Sequence, residues 1–569
     1  MKNTSKLPIH LLGILALCVS TLCQAAVTGE LMIFGGPIHT VTAARPEVEA
    51  VVVADGRILF AGSRREAQEW TGSNTRMLDL AGKTLIPGLI ESHGHIMSFG
   101  YSLRELDLSG ATTYNDIVEQ VAAAVAVAEP GEWIIGNGWH QSKWSAPPPV
   151  EVKGFQTHGL LSEVSPDNPV LLNHASGHAL MLNARAMQLA GINADTVVPE
   201  GGEIIRDANG EPTGILSENA MDLGYRALPV KTAADNQQAL SLALAELARD
   251  GITSFQDAGS VQADLDAYRA LYAAGKLTSR LWIMLAGWDE SLVSEWLKKG
   301  PEIDADKHFL TIRAIKLVAD GALGSRGAWL LEPYSDRPDW SGSANIPMET
   351  VLTVAREALQ SGFQLCVHAI GERANREVLD QLEIAFEGRH SDARFRIEHA
   401  QHLSEQDIPR FAQLGVIASM QGIHLSSDRP WAIDRLGIKR IEEGTYVWRK
   451  LLDSGAIIIN GTDVPVEPVN PIASFYALVT RKTLAGLPVN GYEPAQKLTR
   501  TEALKAYTLD AAYGAFEENL KGSIEAGKLA DFTILSADIM TVPENELLDV
   551  QVEQTIVGGK SVFLRAAND

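Results

Sequence analysis

Five apolar runs recur along the chain, at residues 84–90, 312–319, 363–367, 395–397 and 456–459. Apolar positions in them are nearly continuous rather than alternating. That pattern fits strands buried on both faces, as in a parallel sheet. Each run carries, or soon reaches, a side chain able to bind metal: His93 and His95, Lys316, His368, His399 and Asp463. Residues 234–249, 351–360 and 502–511 have helical periodicity, and 252–259 reads as a strand running into a turn. Strand and helix in alternation predict βα units. Polar side chains at the ends of several parallel strands are the layout of the C-terminal face of a (β/α)8 TIM barrel.

The two ends of the chain differ from the middle. Short strands with Gly and Asp-Gly turns occupy 27–86 and again 522–569. They predict one small domain built from both ends, 27–86 and 522–569, with the barrel at 87–521. About 155 residues separate His95 from Gly251, too many for one βα crossover. An insertion at about 101–230 is therefore expected over the barrel mouth. It holds the rigid Pro147-Pro148-Pro149 and a turn at Asn209-Gly210.

His93-Gly94-His95 places two imidazoles at i and i+2. On an extended backbone they point the same way and can reach one ion. The segments around the five runs resemble the binuclear amidohydrolase superfamily, and its amidohydrolase family 3 branch in particular. They are Pro87 to His95, Lys316 to Arg326, His368 to Asn375, Arg396 to Gln401 and Gly461 to Pro468. The resemblance covers nearly all of the chain after residue 27 and includes proteins similar to N-substituted formamide deformylase. It implies an α/β barrel enzyme flanked by a composite β-sandwich domain built from both chain ends, a metal-dependent amidohydrolase acting on carbon–nitrogen bonds other than peptide bonds. It implies two divalent transition-metal ions, zinc by donor type. His93, His95 and Asp463 would bind one and His368 and His399 the other. Lys316, carboxylated by CO2, would bridge them. A bridging hydroxide would attack the substrate, with Asp463 as general base and then acid. Hydrolysis of an ester, lactone or carbamate at the same site is the alternative, and a non-catalytic exported regulatory protein that keeps the fold is another.

Candidate substrate contacts are His178, Trp139, Arg326 and Arg373, the arginines as partners for a substrate carboxylate. His402 and His424 read as structural. Cys366, two residues before His368, reads as a buried core thiol.

Lys2 and Lys6, the apolar stretch 7–22 and Cys23-Gln24-Ala25 read as a secretory signal peptide over 1–25. Its removal would leave Cys366 as the single cysteine, with no internal disulfide, which fits the periplasm. Formal net charge is −23, and an acidic surface of that size argues against nucleic acid or an anionic membrane as partner. The expected partner is a small amide-like molecule, with a homodimer possible in principle and no membrane attachment after cleavage.

Overall fold

The computed structural model describes residues 28–141, 144–174, 179–199 and 202–566. The leader expected at 1–25 lies outside them. Eight parallel strands form the central sheet: β1 (Leu89–Gly94), β2 (Ile252–Ser260), β3 (Arg280–Ala286), β4 (Leu310–Val318), β5 (Gln364–Ala369), β6 (Arg396–His399), β7 (Ile417–Met420) and β8 (Ile458–Asn460). Each pairs with the next in chain order. The seam between β8 and β1 is closed just past the strand ends. There Asp463 N donates to His93 O at 2.7 Å, and His95 N donates to Val464 O at 2.8 Å.

Both faces of these strands are buried, which is why their sequences read as unbroken apolar runs. On β4, Ile315 and Leu317 join the core against the helices, while Ala314 and Lys316 take the other face. On β5, Leu365 and Val367 go outward, and Cys366 packs inside with Trp282, Met284 and Ala314. Period-2 alternation is therefore present, but it sorts side chains between two interiors rather than between core and water.

The helices at Ala233–Arg249 and Met348–Ser361 follow the predicted periodicity. The helix expected over 502–511 is instead two, Arg500–Ala506 and Leu509–Gly514. Tyr507 O accepts from Ile90 N at 2.9 Å, and Thr508 leaves helical geometry with φ −135°. A tertiary hydrogen bond to β1 thus outweighs local propensity.

Two four-stranded sheets flank the barrel. One is N-terminal, with strands Leu31–Phe34, Ala50–Ala54, Arg57–Gly62 and Arg76–Asp79. The other joins Thr84–Pro87 to the C-terminal strands Phe532–Leu535, Val552–Val557 and Lys560–Leu564. Their facing sides share one apolar cluster that includes Ile33, Val51, Leu85, Phe532 and Ile556. Thr84–Pro87 runs directly into β1, so this sheet and the barrel are continuous along the chain. Between β1 and β2 a six-stranded mixed sheet spans Leu106 to Glu218 and has its own apolar cluster on each face. Among the described residues, no helix is long and apolar enough to cross a membrane.

A buried ion pair joins the C-terminal strands to the barrel. Arg280, the first residue of β3, donates to both oxygens of Asp531 at 2.7 and 2.9 Å, and each side chain is 3% exposed. Burial alone would raise the Asp531 carboxyl. The Arg280 guanidinium outweighs burial and holds it below the usual carboxylate range. The folded pKa therefore lies under the unfolded one. The pair's contribution is complete above the ordinary carboxylate pKa and fades as pH falls towards the folded value. Replacing Asp531 by Asn strands a buried guanidinium charge. We predict a loss of about 3–5 kcal/mol in denaturant unfolding at neutral pH, and a smaller difference between variant and wild type at pH 3 than at pH 7.

Candidate metal centre

The six proposed ligands converge on one cleft of about 430 Å3 at the C-terminal ends of the strands. His93 and His95 lie at the end of β1, Lys316 in β4, His368 in β5, His399 at the end of β6 and Asp463 just past β8. Asp463 Oδ1 is 3.5 Å from His93 Nε2 and 3.2 Å from His95 Nε2. One ligand atom from each of these three residues lies within 4.8 Å of the others. Lys316 Nζ is 3.2 Å from His93 Nε2. The His399 ring centre is 4.8 Å from that of His93 and 4.5 Å from that of His368. His399 and Asp463 both adopt positive φ, +75° and +61°, the strained backbone that concentrates at functional sites.

Burial decides the protonation states. It pushes the His93 imidazole down to about 4, helped by the Lys316 charge. His368 falls to about 3 and His399 well below the usual range, again through burial first. All three are neutral at pH 7 and offer lone pairs. Burial would raise the Asp463 carboxyl, but the His95 imidazole beside it and the nearby His93 and His399 hold it well below its ordinary value. Burial lowers the Lys316 ammonium, opposed by Glu398 and Asp463. Asp463 Oδ1 and His368 Nε2 are buried without a hydrogen bond. A carboxylate oxygen and neutral imidazole nitrogens facing each other without proper hydrogen bonds form a donor set suited to a cation.

A family model for the amidohydrolase family (Amidohydro_3) matches residues 76–563. The chain belongs to this family. It is 33% identical over 541 residues to YtcJ of Bacillus subtilis, covering 93% of this chain and 98% of that protein. It is 30% identical over 542 residues to the N-substituted formamide deformylase of Arthrobacter pascens, covering 93% and 97%. A crystal structure of a metal-dependent hydrolase from Pyrococcus horikoshii superimposes with a TM-score of 0.76 at 26% identity, over 90% of this chain and 99% of that one. The protein is thus a hydrolase on an amidohydrolase barrel.

Behind the ligands lie residues to which the sequence reading gave no role. Glu398 Oε2 accepts from His93 Nδ1 at 2.5 Å. Arg396 Nε is 2.7 Å from Glu398 Oε1, with both side chains fully buried. Gln421 Oε1 accepts from His399 Nδ1 at 2.7 Å. Asp320 is 3.4 Å from His368 Nε2 and accepts backbone N–H groups from Ile370, Gly371 and Trp329. The signal for Glu398 was present: Arg396 and Glu398 fall on one face of a buried strand, and buried charges must pair.

The expected substrate contacts need correction. Trp139 is fully buried in the insertion, where Nε1 donates to Leu172 O at 2.9 Å. Arg326 is held by Asp336 at 3.1 and 2.8 Å. Arg373 lies over the Trp329 ring, 5.6 Å from its centre, and donates to Leu331 O. None of the three lines the cleft, and neither does any other described residue of the insertion. His178 lies outside the described residues. The cleft walls come instead from segments after the strands, including Trp288 in the turn after β3 and Trp431 on the helix Gly422–Gly444.

Glu398→Gln keeps the size of the side chain but removes the charge that fixes His93. We predict a metal affinity weaker by about 10- to 100-fold, measured by competition with a chelator, with the fold retained by circular dichroism. Unchanged affinity would mean that Glu398 serves packing alone.

Proposed function

We propose that this cleft hydrolyses a non-peptide carbon–nitrogen bond of an amide, formamide or cyclic amide, using two zinc ions. His93, His95 and Asp463 would hold one ion, His368 and His399 the other, and Lys316 would bridge them as a carbamate. The observation that carries this reading is the meeting of the buried, neutral His93, His368 and His399 imidazoles and the partly exposed His95 with an ionised carboxylate whose Oδ1 makes no hydrogen bond. When bound, the metal supplies a Lewis acid and a water whose pKa is lowered towards about 7.

The remaining steps belong to the protein. Burial favours the neutral amine at Lys316. Its nitrogen lone pair attacks the carbon of CO2, a proton leaves the nitrogen, and an anionic carbamate with two oxygens results. Glu398 takes the His93 Nδ1 proton as a hydrogen bond, which turns the Nε2 lone pair into the cleft. The Asp463 carboxylate accepts the proton of the attacking water and delivers it to the leaving nitrogen. The products are a carboxylate and an amine. The formamide deformylase among the relatives supports formamides as one member of the substrate class. The leader at 1–25 would send the enzyme to the periplasm, which N-terminal sequencing of the mature protein would check.

Metal analysis with intact mass on wild type and Lys316→Ala tests this reading. We expect about two zinc ions per wild-type chain, a mass excess of one CO2 per chain, and loss of both in the variant. Asp463→Asn should lower kcat by at least about 100-fold on any amide the wild type cleaves. A wild type that takes up no stoichiometric zinc or manganese would sink the mechanism.

A further inference from the structure

Two histidines that the sequence reads as structural, His402 and His424, lie within about 25 residues of the ligand candidate His399. His402 fits its structural reading: it does not line the cleft and its Nδ1 bonds Thr445 Oγ1 at 3.1 Å, although its Nε2 is also buried without a hydrogen-bond partner. His424 does not. It is 7% exposed, lines the cleft, and its buried Nε2 has no hydrogen-bond partner. Its ring lies nearly parallel to His399, with centres 6.3 Å apart. Its position is tied to the metal centre. His424 N donates to Gln421 O at 3.2 Å, and the Gln421 side chain in turn holds His399. A buried nitrogen left unpaired is costly, and unlike that of His402 this one belongs to a side chain that lines the cleft, where a ligand can pair with it.

The rest of the cleft indicates which ligand. One helical turn beyond His424, Asp428 faces the same space, and its carboxylate accepts from Gln401 Nε2 at 3.2 Å and from the Tyr446 hydroxyl at 3.1 Å. The other walls are largely apolar, with Trp288, Trp431, Leu323 and Ile370. Glycines admit the two indoles. A Cβ on Gly259 would lie 2.4 Å from the tip of Trp288, and one on Gly324 would lie 3.3 Å from the tip of Trp431. Among the described residues that line the cleft, Lys316 is the one lysine or arginine, and it belongs to the metal centre. Among the described residues, a substrate carboxylate would therefore meet Asp428 with no guanidinium or ammonium outside the metal centre to balance it.

We propose that His424 is a substrate-binding residue, hydrogen-bonding through Nε2 to an uncharged amide with an apolar substituent, and that Asp428 makes the cleft reject anionic substrates. The inference rests on the hydrolase reading only in taking this cleft for the substrate site. Rejection by a like charge is an efficient source of specificity, and indole walls suit a flat apolar group.

Acetanilide and its carboxylate analogue 4-acetamidobenzoate serve as probes. Their binding to the zinc-treated full-length protein is followed by ligand-observed NMR titration, with metal content measured on the same samples. Acetanilide should bind about tenfold more tightly than the carboxylate, the equivalent of one well-placed polar contact. His424→Phe keeps a ring but removes both nitrogens. It should weaken acetanilide about tenfold without loss of metal, and His424→Gln should restore part of the binding. Asp428→Asn should bring the carboxylate close to the affinity of acetanilide. Equal affinities for the two probes, binding unchanged in His424→Phe, or no binding of either probe would overturn the proposal whatever the metal content. A protein that binds the probes as expected but holds no metal would fail the hydrolase reading alone.

Discussion

A line of charge inside the barrel organises the centre: Arg396, Glu398, His93. Arg396 is fully buried on β6, and its guanidinium reaches across the lumen. It donates to Ser92 O on β1, Gln256 Oε1 on β2 and Ser419 Oγ on β7, as well as to Glu398. Ion pairs this deep contribute little net stability, because desolvation offsets their attraction. Removing one partner is costly all the same, since the other is left charged and dry. The arrangement is better understood as positional. Four strands are held in fixed relation, and Glu398 is kept ionised although burial alone would protonate it. Its hydrogen bond then sets the tautomer and the tilt of His93.

The seam between β8 and β1 ties fold closure to the site in a second way. The two hydrogen bonds that close it involve the backbones of His93, His95, Asp463 and Val464, so three of the ligand candidates are also the latch. Glu91 supports the same junction, accepting from Thr462 N at 2.7 Å and from His93 N at 3.2 Å. Burial pushes its carboxyl up to about 8, so it holds the seam largely as a neutral group. Gly461 is required here by close approach. A Cβ would lie 2.2 Å from Glu91 Oε1 and 2.6 Å from His93 N. Strand order and metal geometry cannot be altered independently at this point in the chain.

These constraints explain which features were legible in the sequence. Strands buried on both faces leave long apolar runs, and ligands must stand where those runs end, so barrel and ligand candidates could both be read from spacing. The sheets at the two ends and the long insertion were legible from turn residues and length. What failed depended on where loops turn. Arg326 and Arg373 follow β4 and β5 closely, and sequence proximity suggested cleft contacts. The loop after β4 instead folds back against the loop after β5, with Asp320 accepting three backbone N–H groups, and each arginine finds a partner outside the cleft. Trp139 met its own requirement inside the insertion, where a buried indole N–H needs an acceptor. His424 looked structural because no one-dimensional signal separates a satisfied histidine from one whose buried nitrogen has no partner.

The same division bears on what the family relationship can carry. Ligand candidates rise from strands locked by the Arg396 line and by the seam, so relatives that share the barrel share the means to hold metal. Apart from Ala258 and Val318 at the ends of β2 and β4, the cleft's apolar walls come from segments beyond the strands. Trp288, Leu323, Trp431 and Val466 are supplied by four different connections, and loops change without disturbing the barrel. Identity near 30% across the whole chain therefore transmits the chemistry more faithfully than the substrate. Among the described residues those walls carry no free cation, which bears on the substrate more directly than a relative's activity does. Both arginines that the sequence offered for a substrate carboxylate are committed elsewhere, Arg326 to Asp336 and Arg373 to Trp329 and Leu331.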